Sequence, residues 1–193
     1  YNNVTVNYYS TSVKNQYNIG ACWAFSAISN VETNALKNGL SSTDLSEAHL
    51  LYGIMGAGYE SSDTAGKKSK YNTSSLDAGG TIYYAASYFF NNEGELLESE
   101  YNYPKNAVTI SSNNYPSGRN ILNVDTFEIL NMNSYSACSD GEIKSIKQKI
   151  LDNGSVIVFM YMNDSNFSDT SYNYYVAPEG STSMVNHGVT IGL

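Results

Sequence analysis

Cys22 heads a stretch whose apolar residues Ala24, Ala27, Ile28, Val31, Ala35 and Leu36 recur at three- and four-residue steps. That spacing predicts an amphipathic helix, and Asn38-Gly39 supplies a left-handed stop. A fold built on this chain has to bury that stripe, and burial fixes whatever stands at the helix start. A helix start offers unpaired N–H groups and the positive end of the macrodipole, and both favour a thiolate over a thiol. Gly20 and Ala21, just before the cysteine, carry no bulk that would block a close approach of another backbone. Gln16 lies six residues before Cys22, and its amide can donate a hydrogen bond to a developing oxyanion.

Composition removes several function classes. The 193-residue chain carries a formal net charge of −8 and a single arginine, Arg119. An acidic surface attracts neither nucleic acid nor an anionic membrane. The longest apolar run, Val156 to Met162, is too short to span a bilayer, so no membrane insertion is expected. A cation loop with alternating acidic spacing is absent around Asp164 and Asp169, so neither a metal nor another cofactor is expected. Of the two cysteines, Cys138 is left without a partner if Cys22 is a nucleophile.

Along the chain, Val4 to Val6 reads as an edge strand or extended arm, and Ser46 can cap a second helix through Leu50 and Leu51. Gly56 to Ser75 is a polar loop with the lysines 67, 68 and 70. Gly79-Gly80 precedes a third helix from about Thr81 to Asn91, with Ile82, Ala85, Ala86 and Phe89 on one side. Strand residues occupy Asn123 to Leu130. Gly141 to Asn153 predicts a helix with the stripe Ile143, Ile146, Ile150 and Leu151, stopped by Asn153-Gly154. Val156 to Met162 is expected as a buried strand, and Met184 to Gly192 alternates as another. The organisation is helical first and β-rich second. Two histidines could serve a thiol as base: His49, read as a surface residue of the second helix, and His187, on a strand beside Gly188.

Val13-Lys14-Asn15-Gln16 and Gly20-Ala21-Cys22-Trp23-Ala24-Phe25-Ser26-Ala27 resemble the active-site block of the papain-like cysteine peptidases, with matched glutamine-to-cysteine spacing. Leu45-Ser46-Glu47 is similar to the block after that family's first helix, and Asn186-His187-Gly188-Val189 to its histidine block. The Cys22-to-His187 separation is 165 residues, against roughly 130–150 in the papain signature, and long loops absorb the excess.

The resemblance implies an α+β, two-lobed papain-like fold, incomplete at the C-terminus. A helical lobe would span about 16–105, and a β-rich lobe about 106–193 with the arm 1–15. It implies a monomeric cysteine endopeptidase acting on protein or peptide substrates. Cys22 would be the nucleophile, His187 the base and Gln16 the oxyanion donor. Gly79 and Gly80 would pair with an extended substrate, Gly80, Ile82, Phe159 and Gly188 would line a pocket that selects an apolar P2 side chain, and Asn186 would also bind substrate.

Three features depart from the family. Ile19 stands where most members have a cysteine, as in bacterial, surface-associated branches, which implies an exported or cell-surface protein. The chain ends at Leu193, before the family's histidine-orienting asparagine, so the expectation is a fragment. No propeptide is included, and any propeptide or appended domain lies outside the chain. A silent papain-like module that binds peptide or surface polymer is the rival reading, and acyl transfer to an amine is a third.

Overall fold

The computed structural model describes residues 9–55, 79–90, 94–103, 105, 116–130, 139–163, 167–168, 174–175 and 185–192. The expected arm at Val4 to Val6, the loop from Gly56 to Ser75, Cys138, Asp164 and Asp169 lie outside the described residues.

The first helix forms where its periodicity puts it: α1 spans Cys22–Lys37, and its C-cap Asn38 is followed by Gly39 at φ +80°. α2 spans Glu47–Met55. Its start is tied by Ser46, whose hydroxyl accepts a hydrogen bond from the His49 N–H at 3.0 Å. α3 runs Ile82–Phe90 and α4 Asp140–Asn153. Ser139 and Glu142 close a capping box at the start of α4. Gly154 ends it at φ +92°, and a Cβ there would meet the Thr33 side chain of α1 at 3.0 Å. Only glycine fits both the turn and the approach.

The named strands all follow: β1 Ser155–Met160, β2 Phe167–Ser168, β3 Tyr174–Tyr175 and β4 His187–Gly192. β1 and β4 pair antiparallel in a register that sets Ser155 opposite Gly192 and Met160 opposite His187. β2 and β3 form a separate two-stranded ribbon.

α1 is the centre. α2 and α3 pack on it from one direction, and β1, β4 and α4 from the other. The buried core gathers Ile19, Trp23, Ala24, Ala27 and Ile28 around α1 with Leu45, Leu50, Leu51, Ile54 and Met55 from the α2 region. Ala85 and Tyr88 of α3 complete it, and Trp23 meets Tyr84 edge to face at 5.6 Å.

Several expectations change. Asn123 to Leu130 forms no strand and pairs with none of the described strands, and Phe127 and Ile129 are exposed. The stripe of α4 buries only Ile150, whereas Ile143 is 39% and Leu151 51% exposed. This helix covers the sheet from outside and does not enter the core. β1 ends at Met160 and is half-buried beyond Ser155. His49, expected at the surface, is wholly buried. Its Nε2 bonds the Pro116 carbonyl at 3.0 Å and its Nδ1 the Tyr88 hydroxyl. The hydrogen bonds that a histidine needs when removed from water come from α3 and a distant loop, which local sequence does not show.

Charge is also buried. Lys14 reaches Glu47 at 2.7 Å, Asp44 at 2.7 Å and Glu32 at 3.5 Å, and donates to the Leu45 carbonyl at 3.2 Å. Glu32 accepts from the Leu45 N–H at 2.7 Å. The arm before α1 is thereby fastened to α1 and α2. Burial pulls the Lys14 ammonium toward lower pKa, but Glu47, Asp44 and Glu32 more than reverse this, and the net shift is upward. Burial pushes Glu47 up to about 7 against the pull of Lys14, and it raises Glu32 and Glu98 as well.

A carboxyl whose pKa is higher folded than unfolded contributes stability below its unfolded value, and loses it as pH rises through its folded value. Buried His49 and half-buried His187, both lowered by desolvation, act in the opposite sense in an overlapping window. The Glu47 contribution is therefore read as a difference. Relative to the wild type, Glu47→Gln is expected to gain up to about 3 kcal/mol as pH rises from 4.5 to 8. Urea unfolding of both proteins at three pH values checks this, and a pH-independent difference would contradict it.

Candidate active site

Residues 15–21 form a tight turn that delivers the chain into α1. Tyr17 takes the left-handed conformation at φ 53°, and its N–H bonds the Asn15 side chain at 2.7 Å. The Gln16 side-chain amide donates to the Ile19 carbonyl at 3.1 Å, while the Gln16 carbonyl accepts from the Tyr103 hydroxyl at 3.0 Å. Tyr103 in turn stacks edge to face on Phe25 at 4.7 Å. One Gln16 amide proton remains beyond the bond to Ile19.

Cys22 is the first residue of α1, half-buried and a free thiol. No side chain caps the helix, and its first turn holds no acidic residue. The positive end of the helix is therefore not neutralised locally by a carboxylate.

Three contacts orient α1 against the sheet. The Asn34 amide donates to the Asn153 carbonyl at 3.0 Å, Asn30 to the Ser155 hydroxyl at 2.8 Å, and the Thr190 hydroxyl to the Ser26 carbonyl at 2.9 Å. Because Ser155 pairs with Gly192, moving back along β4 is moving toward the start of α1. Cys22 lies one turn before Ser26, about 6 Å along the helix axis, and His187 three strand residues before Thr190, about 10 Å. The two stand at the same end of the α1–β4 layer. No hydrogen bond joins them. Burial lowers the His187 pKa and favours its neutral ring.

The remaining expected residues fall into two groups. Gly80 lies on the indole of Trp23, where a Cβ would come within 2.4 Å of Nε1, and Gly79 precedes it at φ +72° with open space around it. Trp23 is fully buried and its indole N–H has no acceptor among the described residues. Gly80 is thus held against the residue next to Cys22. Phe159 faces Gly188 across the β1–β4 pair, and a Cβ on Gly188 would touch its ring at 3.0 Å. Ile82 and Phe159 are both half-buried against the same core cluster.

Asn186 has another task. Its side chain donates to the Met162 carbonyl at 2.8 Å and accepts from the Met162 N–H at 2.7 Å, clamping the open end of the β1–β4 pair. The residues that sequence reasoning passed over are Glu32, Asp44 and Glu98 around Lys14. Glu32 on the buried side of α1 was the available signal, since a carboxylate at a core position needs a partner. No group of acidic, histidine or cysteine residues suited to a metal ion occurs among the described residues.

The profile of the papain family cysteine proteases matches residues 3–192. The chain belongs to the papain family. Human cathepsin L2 is 26% identical over 183 residues, covering 95% of this chain and 47% of cathepsin L2. The clostridial cysteine protease Cwp84, solved after propeptide cleavage, superposes with a TM-score of 0.73 at 23% identity, over 95% of this chain and 41% of that one. Cwp84 is described as a surface layer associated protein of Clostridium difficile. Digestive procathepsin L 3 of the Tenebrio molitor larval midgut superposes with a TM-score of 0.67 at 22% identity, over 96% of this chain and 52% of that one. This papain-family chain spans about half or less of the length of these relatives. Its α+β fold is the papain-like fold, and the family is one of peptidases whose substrates are peptides. Among the described residues no helix is long and apolar enough to cross a membrane.

The seat of Trp23 depends on the missing side chain at position 80. Gly80→Ala is expected to lower stability by about 1–3 kcal/mol through overpacking. Gly79→Ala, with open space, is expected to cost about 1–2 kcal/mol through its positive φ alone. Urea unfolding checks both. Displaced near-ultraviolet circular dichroism of the indole in Gly80→Ala but not in Gly79→Ala separates the two causes.

Proposed function

We propose that this papain-family chain carries the catalytic residues of a cysteine endopeptidase, Cys22, His187 and Gln16, in a single peptidase domain. The domain divides into a helical lobe of about 16–105 and a second lobe of about 106–193. What supports the assignment above all is that Cys22 opens α1 and His187 opens β4 at the same end of one packed layer.

In this reading the neutral His187 ring accepts the Cys22 thiol proton, and the thiolate attacks the scissile carbonyl carbon. The oxyanion is held by the Cys22 N–H at the uncapped helix start and by the second Gln16 amide proton. The intermediate collapses with cleavage of the C–N bond, and His187 gives its proton to the leaving amine. Water, deprotonated by His187, then attacks the thioester and releases the acid and the free thiol. The low pKa that burial gives His187 opposes the imidazolium, and an adjacent thiolate offsets that penalty by Coulomb attraction.

An extended peptide would lie along the Gly79-Gly80 backbone, where no side chain blocks a strand-like approach. Its P2 side chain would meet Gly80, Ile82, Phe159 and Gly188, which favours an apolar residue. Asn186 supports that wall by clamping the sheet end. The likeness to a surface layer associated clostridial protease supports an exported, cell-surface protein of bacterial origin. A silent peptide-binding module is the second reading, because among the described residues nothing hydrogen-bonds the His187 ring to orient it.

In the intact protein, an epoxysuccinyl thiol inhibitor near pH 6 is expected to label Cys22 and not Cys138, as mapped by peptide mass. His187→Ala is expected to abolish that selectivity, and Gln16→Ala to slow peptide hydrolysis on the order of 10²-fold. Slow labelling, equal at both cysteines and indifferent to His187, would establish the silent module instead.

A further inference from the structure

The turn that carries Gln16 is only loosely closed by its own backbone. Tyr17, the next residue, holds φ 53°, a conformation that costs free energy for a residue with a Cβ. The Ile19 N–H reaches the Gln16 carbonyl at 3.4 Å, near the outer limit of a hydrogen bond. The Gln16 side-chain amide bonds the Ile19 carbonyl at 3.1 Å, and the Ala21 N–H bonds the same oxygen at 2.7 Å. Those anchors lie inside the turn and move with it. A backbone strained in this way keeps its shape only where the surrounding structure holds it.

Tyr103 supplies a hold from outside the turn. Its hydroxyl donates to the Gln16 carbonyl at 3.0 Å, across 87 residues of sequence, and this bond is shorter than the one from Ile19. Tyr103 is itself fixed at two further points. Its N–H donates to Glu98 Oε1 at 2.7 Å, and its ring meets Phe25 edge to face at an interplanar angle of 90°. Phe25 stands about one turn past Cys22 on α1, and its N–H bonds the Ala21 carbonyl at 3.1 Å. One side chain therefore touches both the peptide that carries Gln16 and the helix turn that carries the Cys22 N–H. Tyr103 is half-buried and lines a cavity that neither Cys22 nor Gln16 lines, so it acts on the site through Gln16 and Phe25.

We propose that Tyr103 is a positioning residue for the oxyanion site. Its hydroxyl fixes the Gln16 peptide against the first turn of α1, and so sets the Gln16 amide relative to the Cys22 N–H. This inference rests on the peptidase reading above, in which those two donors hold the oxyanion. The oxyanion develops only on the way to the tetrahedral intermediate, so a displaced donor costs rate and leaves substrate affinity intact. The approach of His187 to Cys22 does not run through this bond, because it is set by the packing of α1 on β1 and β4.

Kinetics of the intact protein on a peptide anilide test this with Tyr103→Phe, which removes the hydroxyl and keeps the ring against Phe25. kcat is expected to fall roughly tenfold with KM unchanged, a smaller loss than that of Gln16→Ala. Alkylation of Cys22 by iodoacetamide passes through no oxyanion and is expected to keep its wild-type rate. In the Gln16→Ala background, Tyr103→Phe is expected to cause no further loss, since the group it positions is gone. A wild-type kcat in Tyr103→Phe overturns the inference. So does an equal fall in alkylation, or the same loss persisting in the Gln16→Ala background. A wild-type protein without hydrolysis, or one whose rate Gln16→Ala leaves unmoved, overturns the oxyanion reading itself and this inference with it. Those two results are read before Tyr103 is changed, which separates the two failures.

Discussion

Every other long element rests on α1. α2 and α3 close one side of it, and the β1–β4 pair with α4 closes the other. A helix covered on so much of its circumference cannot follow the usual rule of one apolar stripe and one polar face. Its polar residues are therefore assigned partners individually. Ser26 accepts from Thr190 through its carbonyl, Asn30 bonds Ser155, Asn34 bonds Asn153, and Glu32 meets Lys14 and the Leu45 N–H. These contacts do more than satisfy buried groups. They fix where the sheet sits along the helix axis, and so decide that His187 stands at the Cys22 end.

The ion group around Lys14 follows the same logic on the opposite wall. Two nearly inaccessible glutamates would be prohibitive alone, and Lys14 makes them tolerable by drawing the arm before α1 against α1 and α2. That arm leads directly into the turn at residues 15–21, so the position of Gln16 depends on an ion pair and on Tyr103 as well as on its own backbone. Such a site is held from below by charge and from the side by the Phe25–Tyr103 ring pair, and little is left to the turn itself.

Legibility in the sequence followed range. α1, α3 and α4, with the glycine stops of α1 and α4, were readable because periodicity and capping are local, and the Cys22 block because its spacing is tightly specified. What failed was long-range. Asn123 to Leu130 has strand composition, yet composition cannot supply a neighbour, and none of the described strands takes it. The α4 stripe is regular, but a regular stripe does not say how deep a helix will sit. The burial of Glu32 and Glu47 needs a partner that helix periodicity does not reveal, since their common partner lies 18 residues before one and 33 before the other. Asn186 read as part of a ligand-facing block, and its clamp on Met162 is visible only once β1 and β4 are paired.

The two histidines show how burial separates groups with the same side chain. His49 is sealed, with both ring nitrogens occupied by Tyr88 and the Pro116 carbonyl. A proton could leave it only by breaking a bond that joins α2 to α3 or to the 116 loop, so its chemistry is spent on structure. His187 stands at the first position of a strand, half-buried, where its backbone is held by the pairing with Met160. A base must be fixed in place and still able to exchange a proton with something that arrives. Strand pairing meets the first need without using the ring nitrogens, and position at the strand's end meets the second. Of the two, only His187 combines them, and that follows from the strand register together with the absence of any ring bond among the described residues.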